Sequence, residues 1–158
     1  MTAPVPAARA WLAAVRTPAV AESLEQVYQH AAGAIAERGP ACWASGRCCR
    51  FEGFGHRLYV TGLEAAYTVA HRESPVTLAQ VDTALAEGGC PFQELNLCGA
   101  HEIKPLGCRV FFCDRTAQEW QNTLLETLHA EVKGIHTRFG VPYQYGEWRA
   151  MLGVLASP

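Results

Sequence analysis

Residues 90–114 read CPFQELNLCGAHEIKPLGCRVFFCD and hold four of the seven cysteines, Cys90, Cys98, Cys108 and Cys113. No helical or strand periodicity runs through this stretch. An irregular segment of this length inside a compact domain needs another source of order. A second group, ACWASGRCCRF at residues 41–51, holds the other three cysteines. A metal bound between the two groups would cross-link them and replace the core that the irregular segment cannot form.

Helical signals surround the two cysteine groups, and strand signals are weak. Apolar residues at helical spacing, capping boxes of the Thr-x-x-Glu/Gln type and glycine stops are the features that predict helices here. The predicted helices cover residues 18–38, begin at the capping boxes of Thr61, Thr77 and Thr116, and cover residues 146–155. Residues 56–60 form a short strand-like run. The sequence predicts a mainly α fold, a small helical domain with two cysteine-bearing loops organised around a metal centre.

Length and composition place the chain among single-domain globular proteins. With 158 residues, 49% of them hydrophobic and 18% charged, it is expected to form one domain over residues 1–158, and intrinsic disorder is excluded. The net charge of −2 provides no basic surface for nucleic acid or an anionic membrane. Prolines and arginines interrupt each apolar run near the N-terminus, so neither a signal peptide nor a membrane span is expected. We expect a cytoplasmic protein.

Reduced thiols in such a compartment favour metal ligation over disulfides, and the odd number of cysteines agrees with this interpretation. Thiolates are the preferred ligands of zinc and of iron–sulfur clusters. The spacings match neither the paired CxxC knuckles of zinc ribbons nor the C-x2-C repeats of ferredoxins. The spacing therefore predicts a metal without identifying it. The candidate metal ligands are Cys42, Cys48, Cys49, Cys90, Cys98 and Cys108.

Residues 42–113 resemble the CxxCxxCC cysteine-cluster family, the YkgJ-type zinc- or iron-chelating proteins. That family has an early C-x2-C-x2-C-C pattern and a later CPF…C-x-I-Y-x-x-R-P-x-x-C-R pattern. In this chain the early pattern falls on Cys42, Ser45, Cys48 and Cys49, and the later one on Cys90-Pro91-Phe92, Cys98, Pro105 and Cys108-Arg109. The resemblance implies a cysteine-bound metal centre, commonly an iron–sulfur cluster. The family also includes flagellin lysine N-methylases, so it implies a cofactor more definitely than a reaction.

Three of the departures from the family pattern concern the metal site. Ser45 replaces the second early cysteine and is not expected to be a ligand. Lys104 replaces an arginine and keeps its positive charge, although it loses the planar fork of a guanidinium. His101 replaces a tyrosine. It could donate to a cluster sulfur or ligate a metal, but we favour an ordinary surface histidine.

The expected function is iron–sulfur cluster binding, with a [4Fe–4S] cluster serving electron transfer or cluster-dependent redox chemistry. The side chains of adjacent Cys48 and Cys49 are expected to point apart, which suits a cubane better than one zinc ion. The first-choice cluster ligands are Cys49, Cys90, Cys98 and Cys108. Cys113 lies beyond the matched motif and is either a spare thiol or a ligand peculiar to this chain. The arginines that follow cysteines, Arg50 and Arg109, either offset the thiolate charge or are solvated.

Two other functions remain open. One is a structural zinc site that stabilises an interaction module, and the other is a cluster-dependent enzyme related to lysine N-methylases. Glu126 and His129 form an ExxH pair, but a di-iron site needs a second such pair, so a solvated helix face is the preferred interpretation. No nucleotide-binding or hydrolase motif is present. The expected partner is a redox protein or a small molecule, with no nucleic acid and no membrane.

Overall fold

The computed structural model describes residues 5–40, 47–95 and 97–156. The prediction of a mainly helical domain is confirmed, and two short antiparallel strand pairs accompany the described helices. The helices are α1 (Val5–Val15), α2 (Pro18–Arg38), α3 (Gly62–His71), α4 (Leu78–Glu87), α5 (Leu106–Arg109), α6 (Gln118–Arg138) and α7 (Trp148–Leu155). The strands are β1 (Tyr59–Thr61), β2 (Gln93–Glu94), β3 (Leu97–Cys98) and β4 (Tyr145–Glu147). Single 3-10 turns cover Arg47–Cys49 and Arg115–Ala117.

Helix α2 has the predicted bounds. Pro18 occupies the first turn, where its missing N–H removes no helical hydrogen bond. Gly39 ends the helix in the left-handed conformation, with φ 62°, and its N–H donates to the carbonyl of Ile35 at 2.8 Å. The stripe that includes Val20, Leu24 and Val27 is buried, and α2 packs along α6.

Two of the three predicted capping boxes are present. Thr61 accepts from the backbone N–H of Glu64 at the start of α3, and the Glu64 side chain returns to the N–H of Thr61. Thr77 and Gln80 make the same reciprocal pair at the start of α4. Both helices therefore begin where the local sequence places them.

The predicted capping box at Thr116 is wrong. Asp114 accepts from both the backbone N–H and the hydroxyl of Thr116, at 2.9 and 2.6 Å. Because its hydroxyl donates to Asp114 in a 3-10 turn, Thr116 does not cap a helix, and α6 begins only at Gln118. The carboxylate two residues upstream is the stronger acceptor and sets the turn.

Helix α1 lies in the proline-containing N-terminal segment that was not predicted to be helical. Pro6 falls in its first turn, where proline is tolerated. Trp11 is fully buried, and its indole N–H donates to the carbonyl of Pro142 at 2.7 Å. A Cβ on Gly62 would come within 2.0 Å of the Trp11 ring, so glycine there permits the close packing of α1 on α3.

The strand-like run at residues 56–60 becomes β1 at its end, and β1 pairs with β4 in antiparallel register, Val60 opposite Gly146. The predicted last helix accordingly begins at Trp148 rather than at Gly146. Helix α7 packs against α3 and α4 and buries Trp148, Met151 and Leu152 in the core. Among the described residues, none of the helices has the length and apolar character that crossing a bilayer requires.

Candidate metal centre

Five cysteines are delivered by four short elements outside the long helices. Cys48 and Cys49 lie on the 3-10 turn Arg47–Cys49. The other three, Cys90, Cys98 and Cys108, follow α4, end β3 and lie on α5. Cys49 is buried, with 3% of its surface exposed, and the other four are half-buried.

Backbone hydrogen bonds join the first cysteine segment to the segment after α4. The N–H of Cys90 donates to the carbonyl of Cys49 at 2.9 Å, and the N–H of Glu52 donates to the carbonyl of Gly88 at 3.2 Å. A Cβ on Gly89 would lie 3.0 Å from the Cys49 carbonyl oxygen, so the absence of a side chain there eases the approach. These contacts hold Cys49 and Cys90 together independently of their sulfurs.

The β2–β3 hairpin returns the chain from Cys90 to Cys98. Gln93 pairs with Cys98 in the hairpin register, and the N–H of Gly99 donates to the carbonyl of Phe92 at 2.7 Å. A Cβ on Gly99 would meet that same carbonyl oxygen at 2.7 Å, so a larger residue would force the two strands apart. The irregular segment thus has a local fold that its sequence did not reveal.

Helix α5, which holds Cys108, is attached to α3 by polar contacts. The buried Glu64 carboxylate accepts from the N–H of Leu106 at 2.9 Å. The hydroxyl of Thr68 donates to the carbonyl of Ile103 at 2.7 Å. The Thr61 box of α3 therefore also positions the segment that contains Cys108.

Arg109 serves this segment rather than facing the sulfurs as a free cation. Its Nε donates to the carbonyl of Lys104 at 2.7 Å, and its Nη2 donates to the carbonyl of Glu102 at 3.2 Å. The guanidinium also lies over the ring of Tyr28, 3.8 Å from the ring centroid. Arg109 is therefore bound, and it shapes the loop before α5.

One thiol, that of Cys49, is in contact with three others. The Cys49 thiol hydrogen bonds with the thiols of Cys48, Cys90 and Cys98. The expectation that Cys48 and Cys49 point apart is therefore wrong, because the 3-10 turn lets both sulfurs reach the same space. The choice between a cluster and a zinc ion can no longer be based on divergent side chains.

The shared proton makes the neighbours of Cys49 acidic. The hydrogen bond from Cys49 lowers the pKa of Cys48 to about 7 and that of Cys98 to about 6, and it also lowers the pKa of Cys90. The pKa of Cys49 itself is raised, because its proton is held by the three surrounding sulfurs. Thiolate is the form that binds metals, so the arrangement favours the ligating state of three cysteines.

Cys108 lies close enough to the other cysteines to interact with them electrostatically. Burial raises the pKa of its thiol, and negative charge on Cys90, Cys98 and Cys48 raises it further. The cation of Lys104 acts in the opposite direction, lowering the pKa values of Cys48, Cys98 and Cys108. Lys104 thus supplies the positive charge that the sequence motif leads one to expect at its position.

Four N–H groups donate to the sulfurs, and one of them is the backbone N–H of Cys48, which donates to its own sulfur. The backbone N–H of Phe92 donates to Cys90, and that of Ala100 donates to Cys98, in each case two residues after the cysteine. The indole Nε1 of Trp148 donates to the Cys90 sulfur, with 3.3 Å between the two atoms. N–H donors of this kind stabilise thiolates and the sulfurs of metal centres.

An ion pair between a buried arginine and a partly exposed glutamate connects the cysteine-bearing turn to α7. The guanidinium of Arg149 donates to both carboxylate oxygens of Glu52, at 2.6 and 3.0 Å, and to Glu147 at 2.7 Å. The Arg149 side chain is only 1% exposed, whereas that of Glu52 is 44% exposed. Glu52 follows Cys49 closely in sequence, so this pair holds the first cysteine segment beside Trp148.

The remaining predicted residues lie outside this group or outside the described structure. Cys42 and Ser45 fall in residues 41–46, which lie outside the described residues. Cys113 is half-buried between α5 and α6. His101 is an exposed residue 3.7 Å from Glu102, and its charge contributes to lowering the pKa of Cys98. His129 hydrogen bonds with the Tyr143 hydroxyl at 2.9 Å, and Glu126 is exposed.

Within residues 5–40, 47–95 and 97–156, no group of three or more His, Cys, Asp or Glu side chains is arranged around a position for a metal ion. The sulfurs of Cys48, Cys90 and Cys98 contact that of Cys49 instead. The donor chemistry nevertheless fits a thiolate-ligated centre, because acidic thiols, N–H donors and a lysine cation meet at one place.

Comparisons with protein-family models, with curated proteins and with solved structures found no match to this chain. The resemblance to the CxxCxxCC cysteine-cluster family therefore stays a prediction made from its motif residues.

Sequence reasoning missed the residues that support the sulfurs. Three of them, Glu64, Trp148 and Arg149, come from distant parts of the chain, and Arg149 acts through Glu52 beside the first cysteine segment. The capping box identified Glu64 as a helix-start residue, but not its bond to Leu106. No spacing rule connects Trp148 to Cys90.

Proposed function

We propose that this protein binds an iron–sulfur cluster, a [4Fe–4S] cluster, through Cys49, Cys90, Cys98 and Cys108, and that it serves electron transfer or cluster-dependent redox chemistry. The observation that carries the proposal is the contact of the Cys49 thiol with the thiol of its chain neighbour Cys48 and with those of Cys90 and Cys98, which come from two other segments. Free cysteines in a core usually behave as isolated small hydrophobes. A thiol in contact with three others whose pKa values are lowered is instead typical of a ligating site.

The surroundings of the sulfurs support a redox centre. Bound there, a cluster supplies one-electron oxidation and reduction, and the residues of this chain supply binding and tuning. The N–H groups of Phe92, Ala100 and Trp148 donate to sulfur, and Lys104 provides a cation. Such groups offset the negative charge of a thiolate-ligated cluster.

Five of the six described cysteines belong to this group, one more than a cubane requires. Cys48 contacts Cys49 and is the alternative ligand from the first segment, with Cys42 as a further candidate from the sequence. We favour Cys49 because it contacts Cys90 and Cys98 as well as Cys48 and lies deepest in the protein. Half-burial of Cys48, Cys90 and Cys98 leaves the site within reach of a redox protein or a small molecule.

A structural zinc site is the second candidate, favoured by the convergence of Cys48 and Cys49 on one space. Four thiolates complete a closed tetrahedral zinc site as readily as they ligate a cubane. The enzyme related to lysine N-methylases stays a prediction from the resemblance alone.

The test is anaerobic purification followed by assays of iron, acid-labile sulfide and zinc and by a visible spectrum. We expect a brown protein with about four irons and four sulfides per chain. A colourless protein with one zinc and no sulfide would establish the zinc candidate and reject the cluster.

Single serine substitutions then identify the ligands. We expect Cys98→Ser to abolish or strongly reduce iron and sulfide content, whereas Cys113→Ser, the matched half-buried control, retains both. Retention of the cluster in Cys98→Ser together with its loss in Cys113→Ser would overturn the ligand assignment. Comparing Cys48→Ser with Cys49→Ser identifies which member of the pair ligates.

A further inference from the structure

We propose that Trp148 is a positioning residue that sets the reduction potential of the metal centre through its hydrogen bond to the Cys90 sulfur. This inference rests on the proposed function, because it concerns the same site. The geometry that carries it is the 3.3 Å separation between the indole Nε1 and the Cys90 Sγ. The side chain of Trp148 is almost fully buried, so water does not compete for this donor.

The backbone of Trp148 is held firmly. It is the first residue of α7, and its N–H donates to the carbonyl of Leu58 at 2.8 Å. The preceding residue, Glu147, caps α7 by accepting from the N–H of Ala150 at 3.0 Å. The following residue, Arg149, is fixed by its two bonds to Glu52. The start of α7 is therefore anchored on both sides of the indole.

The ring of Trp148 is held as well. It meets the ring of Phe92 edge to face, with centroids 5.9 Å apart and planes at 76°. The guanidinium of Arg72 lies over Phe92, 4.2 Å from its centroid. Phe92 also donates its backbone N–H to Cys90. The indole and the Cys90 sulfur thus belong to one packed unit. Packing sets the direction of the indole N–H, which does not depend on reduction of the centre.

A fixed donor changes the energy of reduction. A cluster gains one negative charge when it is reduced, and part of that charge resides on the cysteine sulfurs. An N–H aimed at a sulfur therefore stabilises the reduced state more than the oxidised state. Removing the indole N–H makes the potential more negative. The N–H of Phe92 still donates to Cys90, so the shift is partial and the cluster remains bound.

The test compares Trp148→Phe with Trp11→Phe in the full-length protein. Trp11 is the matched control, because it is equally buried and its indole also donates one hydrogen bond, to the carbonyl of Pro142. We expect both variants to keep wild-type iron and sulfide contents. Redox titration should give a more negative midpoint potential for Trp148→Phe and a wild-type potential for Trp11→Phe. Equal potentials in all three proteins, or equal shifts in both variants, would overturn the inference.

Replacement of tryptophan by 5-fluorotryptophan provides a second measurement that leaves the fold intact, for use if Trp148→Phe does not fold. Fluorination makes the indole N–H a stronger donor, so the wild-type potential should become more positive. A potential unchanged by fluorination counts against the inference.

Failure of the proposed function gives a different result. A protein that contains no iron and no sulfide contradicts the cluster but leaves the hydrogen bond testable with Co²⁺ alone. In the Co²⁺-loaded protein, Trp148→Phe should move the sulfur-to-cobalt charge-transfer band to longer wavelength, because the Cys90 sulfur loses a donor. Trp11→Phe should leave the band in place. An unshifted band in Trp148→Phe would reject the role of the indole whatever metal the site holds.

Discussion

Two carboxylates attach cysteine-bearing segments to the helices, and they do so in opposite ways. Glu64 is buried and accepts from the N–H and hydroxyl of Thr61 and from the N–H of Leu106, at 2.8, 2.9 and 2.9 Å. Glu52 is 44% exposed and binds the guanidinium of the buried Arg149 with both oxygens. Burial raises the pKa of Glu64. The hydrogen bonds of Glu52 with Arg149 lower the pKa of Glu52.

Removing either carboxylate leaves buried donor groups without one of their acceptors. The nature of those donors determines how much stability is lost. At Glu64 the buried groups left behind are neutral N–H donors of the backbone. At Glu52 the buried group left behind is a charged guanidinium, which still has Glu147. The first contact is a hydrogen-bond junction inside the core, and the second is an ion pair whose anion faces water.

The largest effect is expected for Glu64→Ala. It leaves the N–H groups of Thr61 and Leu106 buried without an acceptor, and each such group costs about 1–3 kcal/mol. We expect a loss of about 3 kcal/mol in the free energy of unfolding, measured by urea denaturation, together with reduced metal content because α5 holds Cys108. A loss below about 1 kcal/mol would show that water reaches these N–H groups. The contacts of Glu64 and Glu52 would then differ little in their exposure to water.

A smaller loss is expected for Glu52→Ala. Arg149 loses two charge-assisted hydrogen bonds but keeps its bond to Glu147, so we expect a loss of about 1–2 kcal/mol in the free energy of unfolding. Urea denaturation measures it, with Glu52→Gln as the companion variant that retains one acceptor oxygen. A loss equal to that of Glu64→Ala would mean that the exposure of Glu52 to water does not weaken its contact with Arg149.

The pH dependence of the two contacts should have opposite signs. The pKa of Glu52 is lowered on folding, so its contribution is present above the ordinary value of 4.5 and is lost as the pH falls below it. The pKa of Glu64 is raised, so its contribution is present below 4.5 and is lost as the pH rises through the folded-state pKa.

The measurement is urea denaturation of the wild type, Glu52→Gln and Glu64→Gln at several values between pH 3.5 and 7. As the pH falls, the stability advantage of the wild type should shrink against Glu52→Gln and grow against Glu64→Gln. If both stability differences changed in the same direction with pH, one of two assignments would be wrong. These are the burial that raises the pKa of Glu64 and the charge pairing that lowers the pKa of Glu52.

The smallest effect is expected at the exposed capping box. The Oε1 of Gln80 accepts from the N–H of Thr77 at 2.9 Å, with no long-range partner for that oxygen among the described contacts. Water replaces this acceptor in Gln80→Ala, so we expect a loss of about 0.5 kcal/mol or less in the free energy of unfolding. A loss similar to that of Glu64→Ala would show that the box itself, rather than its extension to Leu106, provides the stability.

The capping boxes at Thr61 and Thr77 also show which features could be predicted from the sequence. Both helix starts were predicted, because a capping box is formed by residues close in sequence. The bond from Glu64 to Leu106 joins residues 42 positions apart and leaves no local pattern. The Thr116 box failed for a local reason, since Asp114 is a competing acceptor two residues away.

The candidate site follows the same division. The sequence predicted that the cysteines form one site. In the structure Cys49 contacts Cys48, Cys90 and Cys98, and charge on the cysteines around it raises the pKa of Cys108. The sequence did not predict that Cys48 and Cys49 face the same space, because that depends on the 3-10 turn. Pairing of β1 with β4, which sets the start of α7 and thereby places Trp148, is non-local and was missed as well.

The position of α7 in the chain has a consequence for biosynthesis. Residues 47–108 leave the ribosome before Trp148 and Arg149, so the nascent chain contains five of its cysteines before these two partners have been made. During that interval Cys90 lacks its indole donor and Glu52 lacks its cation. Because the oxidation of a cysteine depends on its exposure, we expect these cysteines to be most susceptible to oxidation during synthesis. Docking of α7 ends this vulnerable period.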